Sequence, residues 1–200
     1  MPLEYDSPLP YGAIRQGEIL SGMHLHTPQH SPTALVEGET VPVLSVSHNR
    51  MIVVNPDCDL EADFDARFLP PEVLRNPGGW PHIGDHHSLV PVVLLCDVFE
   101  ESEIRGSDRP ISSSDLWRRV RANQDERYHR FPASQIRGHA GYSLPELFLD
   151  FCRTYAVQTD WLYRAIADSA IQRVALVPPV YLHDLIQRYY SYYARVGLPD

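Results

Sequence analysis

The chain has 200 residues, 44% of them hydrophobic, 22% charged and 10% aromatic, with a formal net charge of −9. That is globular composition, and a chain this long buries about 70% of its unfolded surface without needing disulfides or a structural metal. The acidic balance disfavours sequence-independent nucleic-acid binding, which draws on many Lys and Arg contacts to phosphate.

Residues 1–16, with Pro2, Pro8, Pro10 and Gly12, read as an irregular arm, and no basic, apolar leader is visible in them. A strand opens at Gly17-Glu18-Ile19-Leu20 and alternates through Met23 and Leu25 to Thr27, with Pro28 and Ser31-Pro32 behind it. Residues 41–46 alternate as a second strand in which Pro42 points to an edge. Ser47-His48-Asn49-Arg50 reads as a hairpin turn into a strand over residues 51–54. A polar insertion bearing Pro70-Pro71 and Asn76-Pro77-Gly78-Gly79 follows over residues 60–88. Residues 89–99 are the strongest apolar run and predict a central strand.

Residues 101–126 are polar, and Ser112 to Asp115 predicts the cap of a short helix carrying Leu116, Trp117 and Val120. Residues 127–136 predict a strand, whereas residues 147–157 suit a strand or a helix because their period is ambiguous. Residues 160–170 predict a helix with Trp161, Leu162, Ala165 and Ile166 inward. Pro178-Pro179 opens a last helix, with Leu182, Leu185, Ile186, Tyr189, Tyr193 and Val196 on one face and Gly197-Leu198-Pro199 as its stop. The fold class is therefore α+β. The arm precedes a β-rich core over 17–136, and a mainly helical part over 137–200 packs on that core as one unit.

The stretch Asp57-Cys58-Asp59, at the end of an apolar run, is the first candidate site. Flanking carboxylates disfavour a thiolate, which argues against a cysteine nucleophile. Two carboxylates in a turn suit a divalent cation, or they hold backbone N–H groups while Cys58 is buried as a small apolar residue. Ten histidines form the second feature, six of them in two clusters: His24, His26 and His30, then His82, His86 and His87. His24 and His26 at i, i+2 share one face of a strand. A metal set of Asp57, Asp59, His24, His26, His86 and His87 follows, although no spacing matches a zinc signature. Cys96-Asp97 repeats the Cys-Asp pair after a second apolar run. The three cysteines Cys58, Cys96 and Cys152 are too widely spaced for a disulfide framework, which predicts reduced thiols and a cytoplasmic setting. No stretch reaches the ~20 apolar residues of a membrane span.

The Asp57-Cys58-Asp59-Leu60 strand end, Arg127-Tyr128-His129-Arg130-Phe131-Pro132 and the ending Arg195-Val196-Gly197-Leu198-Pro199 resemble a group of bacterial proteins that has no assigned activity. Gly17-Glu18-Ile19 and the later Asn55-Pro56-Asp57 are similar to the first half of MazF/PemK-type toxins, which implies a small SH3-like barrel over about the first hundred residues. Two functions are in competition. One is a non-catalytic interaction or regulatory module, joined to a second copy or another protein through the Tyr-rich last helix. The other is a metal-dependent hydrolase or nuclease using Asp57, Asp59 and the clustered histidines, in which a bound ion would activate water.

Overall fold

The structure is a computed structural model that describes residues 3–28, 43–68, 89–106, 111, 113–139 and 141–194. Two long strands, β1 (Glu18–Pro28) and β2 (Val43–Val53), pair antiparallel from Ile19↔Ile52 to Pro28↔Val43. The hairpin turn expected at Ser47 to Arg50 does not form. Those residues sit inside β2, opposite Ser21, Met23 and His24, because β1 runs on to Pro28 and its N–H and C=O groups need a partner along their whole length. Pro42 lies outside the described residues.

Helix α1 (Asp57–Phe68) follows, then β3 (Val92–Glu100), which lies inside the sheet as the apolar run predicts. After α2 (Glu101–Gly106) comes α3 (Ser114–Arg121), whose first turn is capped by Ser113 Oγ accepting from Leu116 N at 3.2 Å. Strand β4 (Tyr128–Phe131) and the short hairpin of β5 (Ser134–Gln135) and β6 (Ser143–Leu144) lead into β7 (Leu147–Gln158). The ambiguous segment is thus a strand. Leu147 to Phe151 are all buried, Asp150 included, so both faces are covered and no period shows. Helix α4 (Thr159–Ala167), strand β8 (Gln172–Leu176) and helix α5 (Pro179–Tyr193) complete the described chain.

Six strands form one antiparallel sheet in the order β4-β7-β3-β2-β1-β8. The class is α+β, but the sheet has two edges, β4 and β8, and does not close into the barrel that the toxin resemblance implies. Nor does a boundary near residue 136 divide strands from helices, since β7 and β8 both lie beyond it.

Alternation along the strands feeds two cores. Ile19, Ile52, Cys96 and Ala175 point to one face and pack with Leu185 and Tyr189 of α5. Leu20, Met51, Val53, Val93 and Leu95 point to the other, under Leu60 of α1 and Leu162 and Ala165 of α4. A third cluster joins Ile104, Val120, Tyr128 and Phe148 under α2 and α3. Trp161, expected inward, is 38% exposed, because it lies about 100° around the helix from Leu162.

The arm is irregular yet belongs to the core. Leu3, Tyr5 and Ile14 are buried, and Tyr5 and Asp6 bridge the β5 region to the β8 edge. Two glycines set the path of β1. Gly17 has φ +80° and Gly22 φ +84°, and a Cβ on Gly22 would lie 2.8 Å from the Ala170 carbonyl oxygen. Gly22→Ala therefore meets both left-handed strain and a backbone clash. It is expected to cost about 2 kcal/mol or more, read as a lower urea midpoint at unchanged slope.

Candidate functional site

Asp57 does not end a strand in a turn; it opens α1. Its Oδ1 accepts from Arg15 Nε at 2.8 Å and from Gln16 N at 2.9 Å, and Arg15 Nη2 also donates to Oδ2. Burial pushes this carboxyl up, but the Arg15 and Gln16 donors outweigh it and hold the group below the usual carboxylate range. Gln16 Nε2 donates to Val54 O at 3.1 Å, and Asn55 Oδ1 accepts from Leu94 N at 2.5 Å. The motif is thus a clamp joining the arm, the end of β2, α1 and β3. The N–H that Asp57 holds is a distant one, Gln16, and not one in a local turn.

Cys58 was expected to be buried and is exposed, with Sγ 3.4 Å from Asp59 Oδ1. The reason is the helix: Leu60 and Asp63 face inward, which turns Cys58 and Asp59 to solvent. Cys96, by contrast, is fully buried in β3, where desolvation pushes its thiol up.

His24 is exposed on β1, and His26 lies two residues further along the same strand. His30, His82, His86 and His87 fall outside the described residues. Among the described residues no three His, Cys, Asp or Glu side chains gather to hold a metal ion, and Asp57 is already held by Arg15.

Sequence reasoning missed two buried carboxylates, Asp97 and Asp150, held by side-chain donors. His48 Nδ1 donates to Asp97 Oδ1 at 2.5 Å, and Arg153 Nη1 reaches Asp97 Oδ2 at 3.2 Å. Asp97 lies where β3 shifts register against β7, and such irregularities re-aim side chains. A cavity of 520 Å³ lined by His48, Arg50, Asp97 and Arg153 opens beside this trio. His48 Nε2 is nevertheless closed off from solvent and, among the described residues, meets no hydrogen-bond partner; the Nδ1 contact ties β2 to β3. Asp150 is held in the same way by both Nε and Nη2 of Arg127, each at 2.7 Å.

A larger groove, 920 Å³, lies between the arm, α1 and α4. Its floor is aromatic: Phe64 and Phe68 have ring centroids 5.0 Å apart, and Tyr163 of α4 lies 5.9 and 5.1 Å from them. Leu60, Phe64 and Phe68 at i, i+4 and i+8 form a helical stripe legible in the sequence. Tyr163 OH accepts from Ile14 N at 3.3 Å, which fixes the arm to α4, and burial pushes that phenol up. Arg67 holds buried Asp63 through Nε at 2.8 Å to each oxygen and also pairs with Asp160 of α4, so both walls keep their spacing. On this rigid frame Tyr11 is 91% exposed and Phe68 52% exposed.

The Tyr-rich α5 is committed differently. Leu185 and Tyr189 are buried, Leu182, Ile186, Tyr181 and Tyr192 pack on the same core, and Tyr193 OH donates to Phe151 O at 2.5 Å. No helix among the described residues is long and apolar enough to cross a membrane. An open antiparallel sheet covered by helices on both faces, with an aromatic groove beside it, defines an α+β protein with a preformed concavity. Comparison with protein-family models, curated proteins and solved structures finds no match for this chain.

Proposed function

We propose that this chain is a non-catalytic interaction or regulatory module that receives a partner in the groove between the arm, α1 and α4. The observation that carries the reading is the groove's exposed aromatic surface, Tyr11 of the arm and the half-exposed Phe68 of the braced Phe64–Phe68–Tyr163 cluster. Leaving such rings in water forgoes about 1.5–3 kcal/mol of burial for each large apolar side chain, a deficit that a bound partner removes. The groove's volume falls within the range of pockets that enclose a ligand or a peptide side chain.

A random peptide library displayed on phage and selected on the folded protein tests the reading. Clones are expected that bind the wild type and lose binding to Phe68→Ser, a change at a half-exposed position that leaves both cores untouched. Failure to enrich any such clone would overturn the proposal. A second surface for a partner or a second copy is the outer side of α5, where Tyr190 is 47% exposed and Val180 77% exposed. Light scattering on the wild type and on Tyr190→Ser separates the two, because only the α5 reading makes mass depend on that residue.

A further inference from the structure

We infer that the groove selects a peptide segment in which a bulky apolar side chain is followed closely by an acidic one, with Arg164 as the residue that reads the acid. This rests on the reading of the groove as a partner site and adds the partner's chemistry. Among the described residues, three cationic or anionic side chains line the groove: Asp160, Arg164 and Arg173. Asp160 is paired with Arg67 of α1. Arg173 is nearly buried, with both Glu18 oxygens and the carbonyl oxygens of Gly12 and Ala13 as its acceptors. Arg164 is exposed, and its Nε donates to the Asp160 main-chain oxygen at 3.1 Å. Among the described residues it meets no carboxylate, so the rim carries one guanidinium charge without its counterpart.

A guanidinium offers five N–H donors in a planar fork that matches a carboxylate. Tyr163 and Ile166 supply apolar surface on the same helix as Arg164, and Phe64 and Phe68 of α1 line the same groove. An apolar anchor seated on Phe64, Phe68 and Tyr163 therefore brings a neighbouring side chain to the rim, where an acid gains a partner and a lysine meets repulsion. The chain's overall charge of −9 works against an acidic partner at long range, but beyond about 8 Å that field is screened at physiological ionic strength. The contact charge at the rim decides.

Two capped peptides, Gly-Leu-Trp-Glu-Gly and Gly-Leu-Trp-Lys-Gly, serve as probes in isothermal titration against the full chain. The Glu peptide is expected to bind about fivefold more tightly than the Lys peptide, the scale of one exposed ion pair set against a like-charge contact. Added salt should shrink the preference, Arg164→Ala should abolish it, and Arg164→Glu should invert it. Because Arg164 is exposed, these variants leave the fold intact, which thermal melts verify. Equal affinity for the two peptides, or a preference indifferent to Arg164, would overturn the inference while peptide binding itself upheld the groove. Loss of both probes while library clones still bind would likewise overturn the inference alone. If neither probes nor clones bind, the groove reading falls with it.

Discussion

Arg173→Ala is expected to destabilise the protein by about 3–5 kcal/mol, the cost of leaving one member of a buried ion pair alone. Arg173 is 7% exposed in its side chain and Glu18 0%. The guanidinium donates to both Glu18 oxygens, through Nε and through Nη2 at 2.7 Å, and to Gly12 O at 3.2 Å and Ala13 O at 2.8 Å. Without it, the buried carboxylate keeps, among the described residues, only the Arg15 N–H at 2.9 Å, and two carbonyl oxygens of the arm lose this donor. Domains of this size are stable by only about 5–15 kcal/mol in total, so the change is large. Urea unfolding at neutral pH reads it. The double variant Glu18→Leu with Arg173→Met removes both charges and should recover a good part of the loss, as buried pairs replaced by apolar residues often do. Recovery should stay incomplete, because the arm carbonyls still lack a partner, and peptide affinity in the neighbouring groove should fall with the loosened arm. A cost below about 1 kcal/mol for Arg173→Ala, the scale of an exposed pair, would contradict the buried geometry.

The second expected result is a loss of stability on mild acidification that traces to one side chain. His129 is buried in β4 against Phe131, at 4.7 Å between ring centroids, and Phe151, at 6.5 Å. Burial, and secondarily the Arg188 charge, pushes its pKa down to about 3, and among the described residues its Nδ1 has no partner. At pH 7 the folded ring is unprotonated, and only about a quarter of unfolded chains carry the proton. Below the unfolded value of about 6.5 the unfolded chain takes up the proton and the folded one does not, so the unfolded state binds more protons and stability falls with pH. The slope approaches about 1.4 kcal/mol per pH unit between roughly pH 6.5 and 3, or about 3 kcal/mol lost by pH 4. His129→Leu, close in volume, should remove that slope. Urea midpoints at pH 7, 6, 5 and 4 on both proteins test it, and parallel curves would show that His129 is not the group responsible.

Much of the scaffold was legible from local pattern alone. The apolar run ending in Phe99, the proline-initiated last helix with Leu185 and Tyr189 inward, and the helix around Leu162 and Ala165 each carry their own period. Strand β8 was not legible, because only Ala175 of its five residues is buried and it is a strand by pairing with β1. The Asp57-Cys58-Asp59 motif drew attention as a site, and its neighbours gave it a different task. Arg15 and Gln16 lie about forty residues upstream, and no spacing rule announces that they will meet Asp57.

What the sequence by itself determined, then, is the class: how much apolar surface there is to bury, which segments alternate and which coil, and the acidic balance. Those are properties of neighbours in the chain, set by side-chain period and backbone preference. The tertiary structure alone decided which polar side chains meet. Glu18 with Arg173, His48 with Asp97, and Arg127 with Asp150 are each brought together by sheet order or by a shift in register. It also decided that Phe68 and Tyr11 share one groove, where Arg15–Asp57 joins the arm to α1 and Arg67–Asp160 joins α1 to α4.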